Sequence, residues 1–528
     1  MSATPASPRE IHRTVVVDGE RTRLRRPHVW TLVVVTLVAA AVRCTGLGDW
    51  SLWVDEAHTW RDATMPLHGD NGFLATDRLL YPMTFLLLRQ LIDSGWVGED
   101  AASLRLLFAV VGTLTVPLLA LAGRRLIGAW PAVLAAALLA LHPWHLYWSQ
   151  NARGYVFVVF AAVLVVERSF AHARAPGWGK LLGVWLGIGL GAASHPTGGF
   201  LAVSFVAFLV LRARPLTRGR IAVLAGVGVA LAAGLPWAID HLSPFQGFLR
   251  SKNAPSLAHF VQTSAYYFRP IALLLAVAAL PLLHRYAGRD RSLLLGCFLF
   301  APFVALLVLG NWRVLATARY AIVALPAVVW LAAFACAHLG EAVLRAWRAR
   351  GVAPWLAAAA LPLCLFGEQA FALVDYATIQ HGQRARWREA AAFVRAQAGG
   401  KPIRVATINF PTLAYYLRPG MWRGVMAKED LGNDVVQIED WMVAEGRDQF
   451  KQRVCEPGAV PHLAWHRRCA DERGAFFAAV ITLPELAEKD RDGSMLAALR
   501  AECELALHLP CWVGPKDESI YVYVWKRP

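Results

Sequence analysis

Eleven apolar stretches, at about 29–46, 104–121, 129–147, 154–170, 181–195, 197–211, 220–239, 270–283, 292–310, 320–338 and 353–372, dominate the first 375 positions. A run of roughly 20 apolar residues can cross the hydrocarbon core as a helix, because a helix satisfies its own backbone hydrogen bonds. This feature predicts a polytopic α-helical membrane protein. Composition agrees: 57% of residues are hydrophobic and 17% charged, where a soluble domain carries about 25% charged residues. Intrinsic disorder is excluded, since it needs low hydrophobicity. The segment 79–92 is apolar but meets Asp93 after about fourteen residues, which suits a re-entrant or interfacial helix.

The net charge of +16 does not point to nucleic acid, because of where it sits. From Tyr376 onward, 21 Lys+Arg face 19 Asp+Glu, leaving +2; the other +14 lies in the apolar part, mostly in short loops. Basic loops (Arg21, Arg23, Arg25 and Arg26; Arg124 and Arg125; Arg168, Arg174 and Lys180; Arg212, Arg214, Arg218 and Arg220; Arg285, Arg289 and Arg291; Arg345, Arg348 and Arg350) alternate with loops poor in Lys and Arg. Threading eleven spans from a cytoplasmic N-terminus puts every basic loop in the cytoplasm, as the positive-inside bias requires. The expected order is a cytoplasmic tail at 1–28, a transmembrane domain at 29–375 and an extracytoplasmic domain at 376–528 of a plasma (inner) membrane protein of bacterial type. Arg25-Arg26 before an apolar run ending Val38-Ala39-Ala40-Ala41 also fits a signal peptide. The functional look of the residues just beyond it favours an uncleaved first helix.

Cys44, Cys297, Cys336 and Cys364 fall in or beside spans and read as packing residues. Cys455, Cys469, Cys503 and Cys511 fall in the domain assigned outside the cytoplasm. Two disulfides are expected there. Four cysteines allow three pairings, and proximity favours Cys455–Cys469 with Cys503–Cys511. No CxxC spacing supports a metal site instead.

Polar chemistry gathers on the outer side. The loop 47–103 holds Leu52-Trp53-Val54-Asp55-Glu56-Ala57-His58, then Asp77, Tyr81 and Pro82. Other outer turns hold Tyr147-Trp148-Ser149-Gln150-Asn151-Ala152-Arg153-Gly154-Tyr155, Ser194-His195-Pro196-Thr197 and Arg319-Tyr320; the loop 240–269 adds Arg250, Lys252, Tyr266, Tyr267 and Arg269. The helix interiors are nearly free of charge, whereas ion and proton routes are marked by intramembrane charges. Guanidinium groups at the headgroup level suit a lipid phosphate. A neighbouring carboxylate suits a general base on an acceptor hydroxyl. Together these predict group transfer from a lipid phosphate, with the membrane lipid as a partner and no nucleic acid.

At this point the sequence resembles the GT-C glycosyltransferases, in the branch of the protein O-mannosyltransferases and the lipid A aminoarabinose transferase (glycosyltransferase family 39-like). The resemblance rests on Leu52-Trp53-Val54-Asp55-Glu56-Ala57, Ser103-Leu104-Arg105-Leu106, Gly123-Arg124-Arg125-Leu126-Ile127-Gly128, Ser149 through Tyr155, and Arg319-Tyr320-Ala321 leading to Pro326. It runs from about 45 to 340 and more weakly to 420. It implies an enzyme that takes a sugar from a polyprenyl-phosphate donor on the extracytoplasmic face and passes it, with inversion, to a lipid, glycan or protein acceptor. It further implies that Asp55 is the catalytic base beside Glu56, and that Arg153 and Arg319, joined by Arg105, hold the donor phosphate. Asp77, Tyr155, His195 and Tyr320 are the expected substrate contacts. Two departures bear on the substrate: Asn151 stands where the family often has Glu, and Leu80-Tyr81-Pro82 where many members have His or Lys followed by two prolines. No ligand spacing demands a metal, so none is assigned; a divalent ion bridging Asp55 or Glu56 to phosphate stays open.

Residues 376–528 read as α/β, with an amphipathic helix at 384–397 and strands at 403–408, 476–481 and 520–525. Tyr415, Tyr416 and Trp422 read as packing residues, with glycan contact as the rival. Two other functions remain at this stage. A lipid-glycan flippase or transporter predicts charged or broken spans in paired halves, which the sequence lacks. A non-catalytic assembly protein predicts loss of the acidic pair or the arginines.

Overall fold

The computed structural model describes residues 22–69, 72–213, 257–309, 318–347, 352–378, 384–423, 432–437, 470–490, 493–513 and 516–525. The chain divides into two compact units: Met1–Thr45 with Leu79–Thr84 and Arg105–Val374, and Gly46–Arg78 with Phe85–Leu104 and Asp375–Pro528.

Helices come in the order α1 (Arg26–Cys44), α2 (Val54–Thr64), α3 (Met83–Asp93), α4 (Ala101–Ile127), α5 (Ala129–Leu141), α6 (Pro143–Ser149), α7 (Tyr155–Arg174), α8 (Trp178–Ser194), α9 (Phe200–Arg212), α10 (Leu257–Phe268), α11 (Pro270–Ala287), α12 (Arg289–Leu309), α13 (Leu325–Ala346) and α14 (Ala353–Thr378). Among the described residues, seven helices are long and apolar enough to cross a membrane, or eight if the bent pair α5–α6 is one span. This is a multi-pass membrane protein. Of the eleven expected spans, two appear as shorter helices, α8 with 17 residues and the apolar Pro196–Arg212, and the one at 220–239 lies outside the described residues. Segment 79–92 forms the short helix α3, 11 residues long.

In the first unit α7 packs on α8, α11 on α13, α9 on α12, and α13 on α5. The half of α13 from Leu325 to Cys336 is buried without a break. A helix apolar on every face belongs in the middle of a bundle. By contrast α14 leaves Trp355, Leu356, Leu363, Phe371 and Val374 exposed, as a lipid-facing helix does. The indole N–H of Trp330 donates to the carbonyl of Leu119 at 3.1 Å and ties α13 to α4. α5 and α6 meet at a 61° bend. The cause is local: Pro143 is the first residue of α6, has no N–H and ends the preceding helix.

The second unit contains α15 (Trp387–Ala398), β1 (Ile403–Thr407), α16 (Phe410–Leu417), β2 (Asp434–Gln437), β3 (Phe476–Thr482), α17 (Leu483–Lys489), α18 (Ser494–Glu502), β4 (Cys503–Leu509), β5 (Trp512–Val513), β6 (Lys516–Asp517) and β7 (Ile520–Trp525). Five strands form one sheet in the order β2-β1-β3-β7-β4. β1 runs parallel to β2 and β3, and β7 is antiparallel to β3 and β4. Both faces are covered. Trp387, Ala391 and Val394 of α15 join Val405, Val480 and Val522 in one core, and Leu486, Leu499 and Cys503 join Ala479, Ile481 and Tyr523 in the other. Two-sided cover explains why the central strands read as continuous apolar runs. The expected α15, β1, β3 and β7 are present within two or three residues of their sequence boundaries.

One expectation is corrected. Cys503 and Cys511 are not bridged to each other. Cys503 opens β4, seven residues long, and Cys511 follows its far end, so at roughly 3.3 Å per residue the strand holds them apart. Cys503 instead packs in the second core, and burial, then Glu518 and Asp517, pushes the Cys511 thiol up to about 12. The other expected pair, Cys455 and Cys469, lies outside the described residues.

Candidate functional site

In the first unit, several of the sequence-identified residues converge. Tyr155 is the first residue of α7 and is buried. Its ring stacks on Trp148 at 3.9 Å and lies 3.9 Å from the ring of His195, which Tyr81 flanks at 6.0 Å. His195 follows α8, and its Nδ1 accepts the backbone N–H of Thr197 at 3.2 Å and lies 2.9 Å from the Thr197 hydroxyl. The neutral ring therefore carries its proton on Nε2. Gly154 makes this closeness possible: a Cβ there would stand 2.1 Å from the carbonyl oxygen of Ser194.

Arg319 and Tyr320 lie in a 3₁₀ turn, Ala318–Ala324, that runs directly into α13. An Arg319 Nη donates to the Tyr320 hydroxyl at 2.9 Å, and the guanidinium lies 4.9 Å from the Tyr320 ring centroid. Tyr155 and Tyr267 lie within electrostatic range of the guanidinium. Tyr267 packs on Trp144 at 4.8 Å, so α6, α7, α10 and the 3₁₀ turn all contribute to this cluster. Arg153 is half-buried in the turn before α7, with its backbone N–H on the carbonyl of Asn151 at 2.8 Å. Arg105, in the first turns of α4, is fully enclosed. The arrangement presents guanidinium charge framed by aromatic rings, suited to a phosphate on an apolar tail.

In the second unit, Asp55 and Glu56 occupy the first turn of α2, where the helix dipole favours negative charge. Asp55 is partly exposed and Glu56 is buried, with one carboxylate oxygen accepting the Trp53 N–H at 3.4 Å. Asp77 opens a 3₁₀ turn, Asp77–Leu80. The strand of chain entering α2 is strapped to the C-terminal region. Arg388 donates to the carbonyls of Gly48, Asp49 and Trp50, the Leu52 N–H donates to the Tyr416 hydroxyl at 2.6 Å, and the Ser51 hydroxyl donates to Glu389 at 3.2 Å. Tyr415 also packs, edge-on to Trp60 at 5.0 Å, with its hydroxyl on the carbonyl of Glu99 at 2.8 Å. Trp60, Glu99, Arg388, Tyr415 and Tyr416 border an open cavity of about 580 Å³.

Sequence reasoning missed two buried charges. Asp62 is wholly buried in α2 and pairs with Arg61 at 2.6 Å and Arg78 at 3.0 Å. Arg43, at the end of α1, is wholly buried in the first unit. The signal for Asp62 is its spacing: Asp55, Thr59 and Asp62 share one helix face. Arg43 gave a signal too, as a charge in the last turn of an apolar span. No group of three His, Cys, Asp or Glu side chains among the described residues converges as a metal-ligand set.

The bundle with its appended α/β region is the GT-C fold. Over 94% of this chain and 98% of the other, it superposes on ArnT from Cupriavidus metallidurans bound to undecaprenyl phosphate, with a TM-score of 0.55 at 16% identity. Over 94% of this chain and 74% of the other, it superposes on the oligosaccharyltransferase AglB from Archaeoglobus fulgidus, in complex with an inhibitory peptide and a dolichol-phosphate, with a TM-score of 0.56 at 12% identity. Residues 82–239 match the family of dolichyl-phosphate-mannose-protein mannosyltransferases. Comparison with curated protein sequences finds no match.

Proposed function

We propose that this protein is an inverting glycosyltransferase that moves a sugar from a polyprenyl-phosphate donor to a lipid, glycan or protein acceptor on the extracytoplasmic face of the membrane. The observation that carries this reading is the cluster of Arg319, Tyr320, Tyr155 and His195 on a GT-C bundle. The family match over 82–239, and the polyprenyl and dolichol phosphates on the two structural neighbours, support the lipid-linked donor.

In this mechanism Asp55 takes the proton of the acceptor hydroxyl. The oxygen forms a bond to the anomeric carbon from the face opposite the phosphate. The bond from that carbon to the phosphate oxygen breaks, and its electron pair leaves with polyprenyl phosphate. Arg153 and Arg319 hold the charge that develops there, an effect that typically contributes a few kcal/mol per donor, roughly. Glu56 fixes the helix turn beside the base, and Arg105, enclosed in α4, adds positive potential. Asp77, Tyr155, His195 and Tyr320 contact the substrates. The N-terminus is then cytoplasmic and the second unit extracytoplasmic.

The test uses the full chain in lipid nanodiscs. Asp55→Asn lowers transfer by about 10²–10⁴-fold, the range for a lost general base, while undecaprenyl phosphate still binds. Wild-type turnover in that variant removes Asp55 as the base. Arg153→Ala weakens lipid-phosphate binding, and an unchanged dissociation constant counts against its role. Mass spectrometry of lipid-linked sugars that accumulate in a deletion strain identifies the donor.

A further inference from the structure

Arg43 is fully enclosed and has five hydrogen-bond acceptors, none of them a carboxylate. One Nη donates to the carbonyls of Ala140 at 2.9 Å and Ala39 at 3.2 Å. The other Nη donates to the carbonyl of Leu139 at 3.2 Å and lies 2.8 Å from His145 Nδ1, and Nε donates to the Ser149 hydroxyl at 3.2 Å. Among the described residues these partners are neutral dipoles, and a buried charge so held depends on their being in place.

The sequence explains why one of these acceptors, the carbonyl of Leu139, is open to Arg43. In a continuous helix the carbonyl of Leu139 would accept from residue 143, but Pro143 has no N–H, and the carbonyl keeps only a long bond from the His142 N–H at 3.3 Å beside that from Arg43. The break between α5 and α6 therefore exposes a carbonyl that Arg43 reaches from α1. The tie is mutual. Gln150 Nε2 donates to the carbonyls of Val42 at 3.1 Å, Arg43 at 3.2 Å and Thr45 at 2.9 Å, groups that a helix C-terminus leaves unpaired. Ser149 is wedged from a third side, since a Cβ on Gly112 of α4 would stand 2.1 Å from its hydroxyl oxygen. The chain then continues through Asn151, whose side-chain amide donates to the carbonyl of Tyr147, to Arg153 and Tyr155.

We infer that Arg43 is a positioning residue for the donor-phosphate site: by joining the end of α1 to the α5–α6 break and to Ser149, it fixes the turn 149–153 and aims Arg153. This rests on the reading of Arg153 given above. It assigns Arg43 no contact with substrate.

The experiment measures the dissociation constant of undecaprenyl phosphate for the full chain in nanodiscs, together with its thermal unfolding. Arg153→Ala weakens binding about tenfold, the scale of one charge-assisted hydrogen bond. Arg43→Leu weakens it to a similar degree. The double variant binds no worse than Arg153→Ala alone, because the two residues act through one group. A general loss of structure would instead add to the Arg153→Ala effect, and additive losses overturn the inference. Should Arg43→Leu fail to fold, Arg43→Lys and Gly112→Ala decide: the first has fewer donors for the bend, the second displaces Ser149, and each weakens binding only when Arg153 is present. Unchanged binding in both, with Arg153→Ala weakened, overturns the role of Arg43. Unchanged binding in Arg153→Ala itself overturns the reading of Arg153, and the two failures are distinct.

Discussion

Gly154→Ala is a one-methyl change with a calculable consequence. The backbone at Gly154 has φ −64° and ψ −6°, which alanine adopts without strain, so any effect comes from space alone. The new Cβ would stand 2.1 Å from the Ser194 carbonyl oxygen and 2.9 Å from the Thr84 hydroxyl. An ordinary carbon–oxygen contact needs roughly another ångström, so the start of α7 and the end of α8 must separate by about that much. Well-packed interiors meet such intrusion at a cost of about 1–3 kcal/mol. The displacement falls between Tyr155 and His195, each the immediate neighbour of a clashing residue, and opens their 3.9 Å ring contact. If the strain appears wholly in substrate binding, undecaprenyl phosphate binds roughly 5- to 150-fold more weakly. Titration of the nanodisc-embedded protein, with thermal unfolding alongside, measures both. A variant that keeps both its unfolding temperature and its affinity would show that Tyr155 and His195 do not need their observed spacing.

Further expected outcomes concern the second unit. Asp62→Ala leaves Arg61 and Arg78 without their shared buried carboxylate. Both arginines reach solvent, so the cost lies near 1–3 kcal/mol rather than at the top of the range for buried pairs; limited proteolysis within 46–104 becomes faster, and an unchanged cleavage rate would refute it. Asp100 caps α4 by accepting the N–H groups of Ala102 and Ser103. Burial opposes its charge, but hydrogen bonds from Ser103, Ala102 and its own backbone outweigh this and hold its carboxyl below the usual range. Its stabilisation is present above the unfolded carboxyl pKa and disappears as pH falls through the lower folded value. The unfolding-temperature gap between wild type and Asp100→Asn should therefore close in acid, and a gap constant with pH would contradict the cap. Mass mapping without reductant should find no Cys503–Cys511 bridged peptide; such a peptide would show that the two ends of β4 are joined after all.

The legible part of this molecule was what periodicity writes directly. Apolar runs gave the spanning helices, and α15, β1, β3 and β7 followed from patterns of 3.6 and 2. β4, the edge strand, was missed because Cys503 through Leu509 carries no continuous apolar run, although its apolar and polar residues alternate. Trp53-Val54-Asp55-Glu56 was recognised as a site motif, yet nothing in the sequence signals that residues 46–78 and 85–104 cluster with the C-terminal region. That clustering is made by backbone carbonyls and single hydroxyls, through Arg388, Tyr415 and Tyr416, and such contacts leave no periodic trace. The same holds for the first-unit cluster: Tyr155, His195 and Arg319 were each named from local motifs, but their meeting depends on Gly154, whose role is visible only in three dimensions.

Pro143 and Arg43 are 100 positions apart and form a matched pair. Restoring an N–H at 143 would let α5 run on and supply the carbonyl of Leu139 internally, which would strand part of a guanidinium in a dry interior. Removing the guanidinium would leave that carbonyl with the 3.3 Å bond from the His142 N–H alone. Neither substitution is mild alone, and the two together should be gentler than either, so a chain of this kind can exchange its kink for a straight helix only by changing both ends at once.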